Sequence, residues 1–316
     1  SNSVVNILSA LAAVVVFCRS AGVVQCSFHG RQFERHPNWN LLPHDECGFT
    51  TVLADRIFGG NEAYLGQYPW IVGLLQEDGV GNGRIWCGGS LINDRYVVTA
   101  AHCVHPEDHI EYVVLGEHNQ NTSEECNGDL CNCARRVKIR NIFDHPDYDK
   151  YDTINDISLL RLDERITEFD DFVRPICLPT FKHLNKNSFN GKYLETAGWG
   201  QTDRKNSDSD FLKAVTVPVI SEKKCRWWLG YVHKTQICAM GNNGLDACHG
   251  DSGGPLMGYV QKSSDPADYV RVLVGITSFG TPIDESARDD LACGNAIGVY
   301  VRVSEYVDWI LDNIRK

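Results

Sequence analysis

From residue 57 onward the chain alternates short apolar, β-branched runs with polar turns. Trp70-Ile71-Val72-Gly73-Leu74, Tyr112-Val113-Val114-Leu115 and Arg271-Val272-Leu273-Val274-Gly275-Ile276 are such runs, set between Gly, Asn and Asp turns. Branched side chains pack well on a pleated surface, and Gly, Asn and Asp reach the backbone angles that turns require. A succession of short strands predicts an all-β barrel or sandwich. The C-terminus departs from this rhythm. Val307, Ile310, Leu311 and Ile314 recur at three- to four-residue spacing behind Ser304, which predicts a helix capped by Ser304 with one face packed on the rest of the fold.

Two N-terminal stretches lie outside the pattern. Val4 to Phe17 is almost continuously apolar and is followed by Cys18-Arg19-Ser20-Ala21-Gly22. The run is too short for a comfortable membrane span and is bounded by small residues, so residues 1–21 are expected to be a signal peptide. The start, Ser1-Asn2-Ser3, has neither methionine nor a basic flank, so a truncated leader is expected. Residues 22–56 are polar, rich in His, Asn and Asp, and read as a pro-segment or light chain. No other segment is apolar enough to cross a bilayer.

Composition narrows the compartment and the partners. With 316 residues and 43% hydrophobic content the chain can bury a substantial core. A net charge of −11 argues against nucleic acid and polybasic membrane contacts. Thirteen cysteines fit an oxidising, extracellular setting. A zinc site at Cys126, Cys131 and Cys133 would need further ligands, and no histidine pair stands at finger spacing.

Three segments carry chemistry. Gly250-Asp251-Ser252-Gly253-Gly254-Pro255 puts a serine in a glycine-flanked turn where its hydroxyl can meet a carbonyl. Thr99-Ala100-Ala101-His102-Cys103 follows a strand-like run, and Asn155-Asp156 heads an apolar one. Serine needs a base to act as a nucleophile at neutral pH. Histidine can serve, given a buried carboxylate to fix its tautomer. In the order His, Asp, Ser these segments resemble the chymotrypsin-like (trypsin-type) serine protease family, over Ile57 to about Lys316. The resemblance implies an all-β fold of two six-stranded antiparallel barrels with a C-terminal α-helix, the site lying in the cleft between barrels. It implies His102 as general base, Asp156 as its orienter and Ser252 as nucleophile, with the Gly250 and Ser252 amides as oxyanion donors.

The same resemblance implies a secreted zymogen. Cleavage between Arg56 and Ile57 would free an ammonium group to pair with Asp251, and the protease domain would span 57–316. Asp246 would form the floor of the specificity pocket and Gly280 and Gly298 its walls, favouring arginine over lysine because Ala247 offers no hydroxyl. Disulfides are expected for Cys47–Cys177, Cys87–Cys103, Cys225–Cys238 and Cys248–Cys293. A bridge common in the family is missing at Leu194 and Gly258. One bridge is expected within 126–133, and the pairing of Cys26, Cys126, Cys131 and Cys133 stays open. Glu117 and Asn119 occupy calcium positions, with Glu124 or Glu125 as further oxygen ligands; no other cofactor is required. Asn121-Thr122-Ser123 is a glycosylation acceptor.

The short light chain, the absent bridge and the cysteine-bearing loop look like arthropod clip-domain proteases. A full clip module would bring six cysteines, and upstream of Arg56 stand Cys18, Cys26 and Cys47. Expected partners are protein substrates (another zymogen among them), an upstream activating protease and inhibitors such as serpins. The alternatives are a digestive or venom trypsin-like protease and a non-catalytic adaptor.

Overall fold

The computed structural model describes residues 33–52, 61–77, 83–122, 124–127, 130–184, 188–201, 208–241, 250–263, 265, 268–282 and 296–316. Strand β1 (Asn61–Glu62) precedes a first group comprising β2 (Ile71–Glu77), β3 (Gly83–Leu91), β4 (Tyr96–Thr99) and β5 (Ile110–Leu115). A short hairpin, β6 (Glu125–Asn127) and β7 (Leu130–Asn132), leads into β8 (Arg135–Asp144) and β9 (Ser158–Leu162). The order β2-β3-β4-β9-β8-β5 closes on itself, so no edge is left for unwanted pairing.

The second group is β10 (Tyr193–Gly198), β11 (Lys213–Ile220), β12 (Gln236–Met240), β13 (Pro255–Gln261), β14 (Tyr269–Pro282) and β15 (Ala296–Arg302). These pair in the order β11-β10-β13-β14-β15-β12, and β12 pairs back onto β11. Two closed six-stranded antiparallel barrels result, with β1 added to the edge of β11. Helix α1 (Glu222–Leu229) lies between β11 and β12, and α2 (Val307–Asn313) ends the chain.

Inward-pointing apolar residues fill both barrels. Val72, Leu74, Val97, Val113 and Leu160 are at or near zero exposure in the first, as are Val217, Leu256, Val272 and Tyr300 in the second. Trp70 joins the barrels, donating its indole N–H to Met257 Sδ at 3.0 Å. Val307, Ile310, Leu311 and Ile314 bury the predicted face of α2 against the first barrel's core. Ser304 does not cap that helix: it lies in the 3-10 turn Val303–Glu305, and Tyr306 takes the cap position without a side-chain bond.

The described segment 33–52 contributes to this core. Leu42 is buried within it, and Trp39 and Leu41 pack against it. Asn38 Nδ2 donates to the carbonyls of Leu311 at 2.9 Å and Ile314 at 3.1 Å, satisfying acceptors that the end of α2 leaves open. The Cys47–Cys177 bond is flanked by main-chain bonds from Gly48 N to Pro175 O at 2.8 Å and from Arg271 N to Gly48 O at 2.9 Å. The Cys87–Cys103, Cys225–Cys238 and Cys126–Cys131 bonds are also present. Cys133 is a free, exposed thiol among the described residues. Cys26, Cys248 and Cys293 lie outside the described residues.

Packing fills the place of the missing bridge. A side chain on Gly258 would meet Phe189 at 2.7 Å and Leu194 at 3.1 Å, so these two residues occupy that volume. Beside it Glu195 pairs with Arg271 and accepts a hydrogen bond from Tyr68 Oη at 2.9 Å. Burial, then the Glu195 charge, push the Tyr68 phenol far above its usual range, so it stays a donor. Removing one member of a buried pair strands the other charge. Glu195→Ala is therefore expected to cost about 3–5 kcal/mol in denaturant-induced unfolding; an unchanged midpoint would contradict this assignment.

Candidate active site

Asn155 sets the direction of its neighbour. It adopts a left-handed φ of 56°, which asparagine tolerates better than most residues. Its side chain is held at both ends, Nδ2 donating to Asp147 O and Oδ1 accepting from Tyr306 Oη, each at 2.8 Å. Asp156 then enters the interior with no exposed surface. Its carboxylate accepts from the His102 amide at 2.9 Å, from His102 Nδ1 at 2.7 Å and from Ser278 Oγ at 2.5 Å. A carboxylate can only accept, so the His102 proton resides on Nδ1 and Nε2 is left as the basic nitrogen. His102 occupies the 3-10 turn Ala101–Cys103, clamped by the Cys87–Cys103 bond. Burial, followed by the charges of Asp156, Asp144 and Asp149, pushes the nearby Tyr148 phenol up to about 12.

Close backbone contact locks the serine turn to the first barrel. Gly88 N donates to Ser252 O at 2.7 Å, and Thr99 Oγ1 donates to Gly88 O at 2.8 Å. Gly253 has φ 74°, and a Cβ there would stand 2.2 Å from Thr99 Oγ1 and 2.4 Å from Gly88 O. Only glycine fits. The turn is thereby pressed against Thr99, three residues before His102, although their positions in the chain are distant. Gly250 also has a left-handed φ, 94°, and Asp251 Oδ1 accepts from Gly200 N at 2.9 Å.

Gly280 on β14 and Gly298 on β15 face each other in register. Asp246 and Ala247 lie outside the described residues, as do Arg56 and Ile57. Ser278 gave no signal in the sequence, where it reads as one more strand residue. Its role rests on the contact with Asp156 alone.

The loop around Glu117 holds oxygen donors. Glu117, Glu124 and Glu125 line a pocket of about 10 Å³ with Thr122 and Asn132, room for one small ion or water. Burial, with Glu125's charge adding, raises the Glu117 carboxyl pKa against the opposing bond from His118 N. A partly buried carboxyl beside a second one suits a hard cation. The Asn119 amide oxygen is engaged in its own turn, accepting from Asn121 N at 3.1 Å. His118 is structural, bridging Glu125 at 2.8 Å and Ala63 O at 2.6 Å. Asn121 is exposed.

Two barrels, a buried carboxylate clasping a histidine and a glycine-locked serine turn define a serine protease scaffold. The chain belongs to the trypsin family, whose sequence model matches residues 57–310. It is 38% identical over 292 residues to the CLIP domain-containing serine protease HP8 of Bombyx mori, covering 88% of this chain and 74% of that protein. Serine protease ea of Drosophila melanogaster is 37% identical, covering 87% and 71% respectively. The crystal structure of the Drosophila Grass clip serine protease of the Toll pathway superposes with a TM-score of 0.69 at 34% identity, over 84% of this chain and 74% of that one.

Ser278→Ala removes one of the three donors to Asp156. Turnover of a peptide substrate is expected to fall about tenfold or more, with KM little changed; unaltered turnover would show that this bond carries no load. The raised Glu117 pKa has a definite sign. Its folded-state value exceeds the unfolded one, so its contribution to stability is full at low pH and is lost as pH rises through the folded value. Glu117→Gln is expected to raise the melting temperature at neutral pH without divalent cations and to flatten that dependence, as scanning calorimetry would read.

Proposed function

We propose that this protein is the secreted zymogen of a trypsin-like endopeptidase that cleaves after arginine or lysine in an extracellular cascade. The observation that carries the reading is the fully buried Asp156 carboxylate fixing His102 Nδ1 at 2.7 Å. In the proposed mechanism His102 Nε2 takes the Ser252 proton as the hydroxyl attacks the peptide carbonyl. Asp156 stabilises the imidazolium, and the Gly250 and Ser252 amides hold the oxyanion. The proton then passes from His102 to the leaving amine, and water repeats the sequence on the acyl-enzyme. Asp246 would select the basic side chain between Gly280 and Gly298.

Activation follows cleavage after Arg56, the Ile57 ammonium pairing with Asp251 and ordering the Gly250 turn. The Cys47–Cys177 bond would keep the light chain attached after that cut. Glu117 and Asn119, with Glu124 or Glu125, would hold calcium, which would brace the loop. The extracellular setting is supported by the disulfides and by relatives named clip-domain proteases. No helix among the described residues is long and apolar enough to cross a membrane.

The zymogen cleaved after Arg56 is expected to hydrolyse peptide libraries only after arginine or lysine. Ser252→Ala should lower turnover by about six orders of magnitude. Arg56→Gln should be secreted yet inert, and Asp246→Ser should cost arginine cleavage most. Full activity of Arg56→Gln would defeat the zymogen reading, and unchanged preference in Asp246→Ser the pocket assignment.

A further inference from the structure

Helix α1 departs from two local rules at once. Its first turn holds Lys223 and Lys224 behind one acid, Glu222, which pairs with Arg226, although the partial positive charge of a helix N-terminus favours acids there. Trp227 stands 75% exposed, beside Trp228 at 38% and Tyr231 at 68%. Packing explains neither choice. The opposite face anchors the helix, with Cys225 buried and bonded to Cys238 and Leu229 packed on a cluster that includes Val232 and Ile297. At about 100° per residue Trp227 projects roughly 200° around the axis from Cys225, with Lys223 one turn behind it on the same face. Conflicts of this kind gather at functional surfaces.

Charge sets this surface apart from the rest of the chain. Between Glu222 and Lys234 stand Lys223, Lys224, Arg226 and Lys234 against the single acid Glu222, in a chain of net charge −11. Its position is also specific. Phe279 packs on the same cluster as Leu229, and it lies between Ser278, bonded to Asp156, and the pocket-wall residue Gly280. Gln236 Nε2 donates to Thr153 O at 3.3 Å, in the loop leading to Asp156. The aromatic, basic ridge therefore stands on the shoulder of the cleft.

We infer that this ridge docks an acidic segment of the protein substrate, apart from the residues flanking the cleaved bond; the inference rests on the endopeptidase reading above. Exposed Trp and Tyr with Arg are the residues in which interface energy concentrates, and flanking lysines set association rate and salt dependence. A lipid surface is less well matched. Interfacial helices present a long apolar face, whereas α1 spans eight residues and its apolar side is buried in the protein.

Two fusion substrates test this. Both carry one arginine-containing linker, extended in one by a segment of Asp, Glu and Phe and in the other by Gly and Ser of equal length. The activated protein is expected to cleave the acidic fusion with kcat/KM about fivefold higher or more, a preference lost at about 0.5 M salt. Trp227→Ala/Tyr231→Ala and Lys223→Glu/Lys224→Glu should each abolish the preference while leaving hydrolysis of a short arginine peptide unchanged. Fluorescence anisotropy with the Ser252→Ala protein and the labelled acidic segment should show binding that the same variants remove. Equal rates on both fusions and no binding would overturn the inference. Binding to phosphatidylserine vesicles that Trp227→Ala/Tyr231→Ala removes, without any acidic preference, would overturn it in favour of a lipid surface. Failure of the wild type to hydrolyse the short peptide would instead sink the endopeptidase reading, and the anisotropy measurement then decides the ridge alone.

Discussion

A carboxylate with no access to water organises this molecule. Asp156 is buried in a protein interior where an isolated charge is costly, and three donors offset that cost: the amide and Nδ1 of His102 and the hydroxyl of Ser278. The donors come from two structural commitments. The His102 turn is held by the Cys87–Cys103 bond, and Ser278 belongs to the longest strand of the second barrel. Satisfying one charge thus fixes the two barrels against each other at the cleft.

The serine turn meets this arrangement through absence of bulk. Gly253 admits no side chain between Thr99 and Gly88, so the distant segment 250–255 abuts the strand that precedes His102. Residues 38–48 act on other elements. Asn38 satisfies the end of α2, and Gly48 pairs with Arg271 on β14, so these upstream residues are structural members of the barrel body.

Much of this was legible in the chain. The β-branched runs mark strands β2, β5 and β14 within a few residues, and the three- to four-residue spacing marks α2. His102, Asp156 and the serine turn stand out because their residue types are chemically demanding. Ser278 was not legible, since its meaning depends on a partner 122 residues away. Helix α1 was missed although Ser221, which accepts from Lys224 N, and Gly230 bracket it; the Trp227-Trp228 pair obscures its amphipathic period. The Cys126–Cys131 pairing needed the β6–β7 register, which places the two residues opposite each other. Ser304 failed as a cap because a 3-10 turn consumed it.

Mapping a serine-directed organofluorophosphate adduct by mass spectrometry tests most directly whether Asp156, His102 and Ser252 act as a unit. In protein cut after Arg56, one equivalent is expected on Ser252 alone, with labelling nearly abolished by His102→Ala and strongly slowed by Asp156→Asn. Adducts spread over several serines, or a Ser252 rate indifferent to both substitutions, would contradict it.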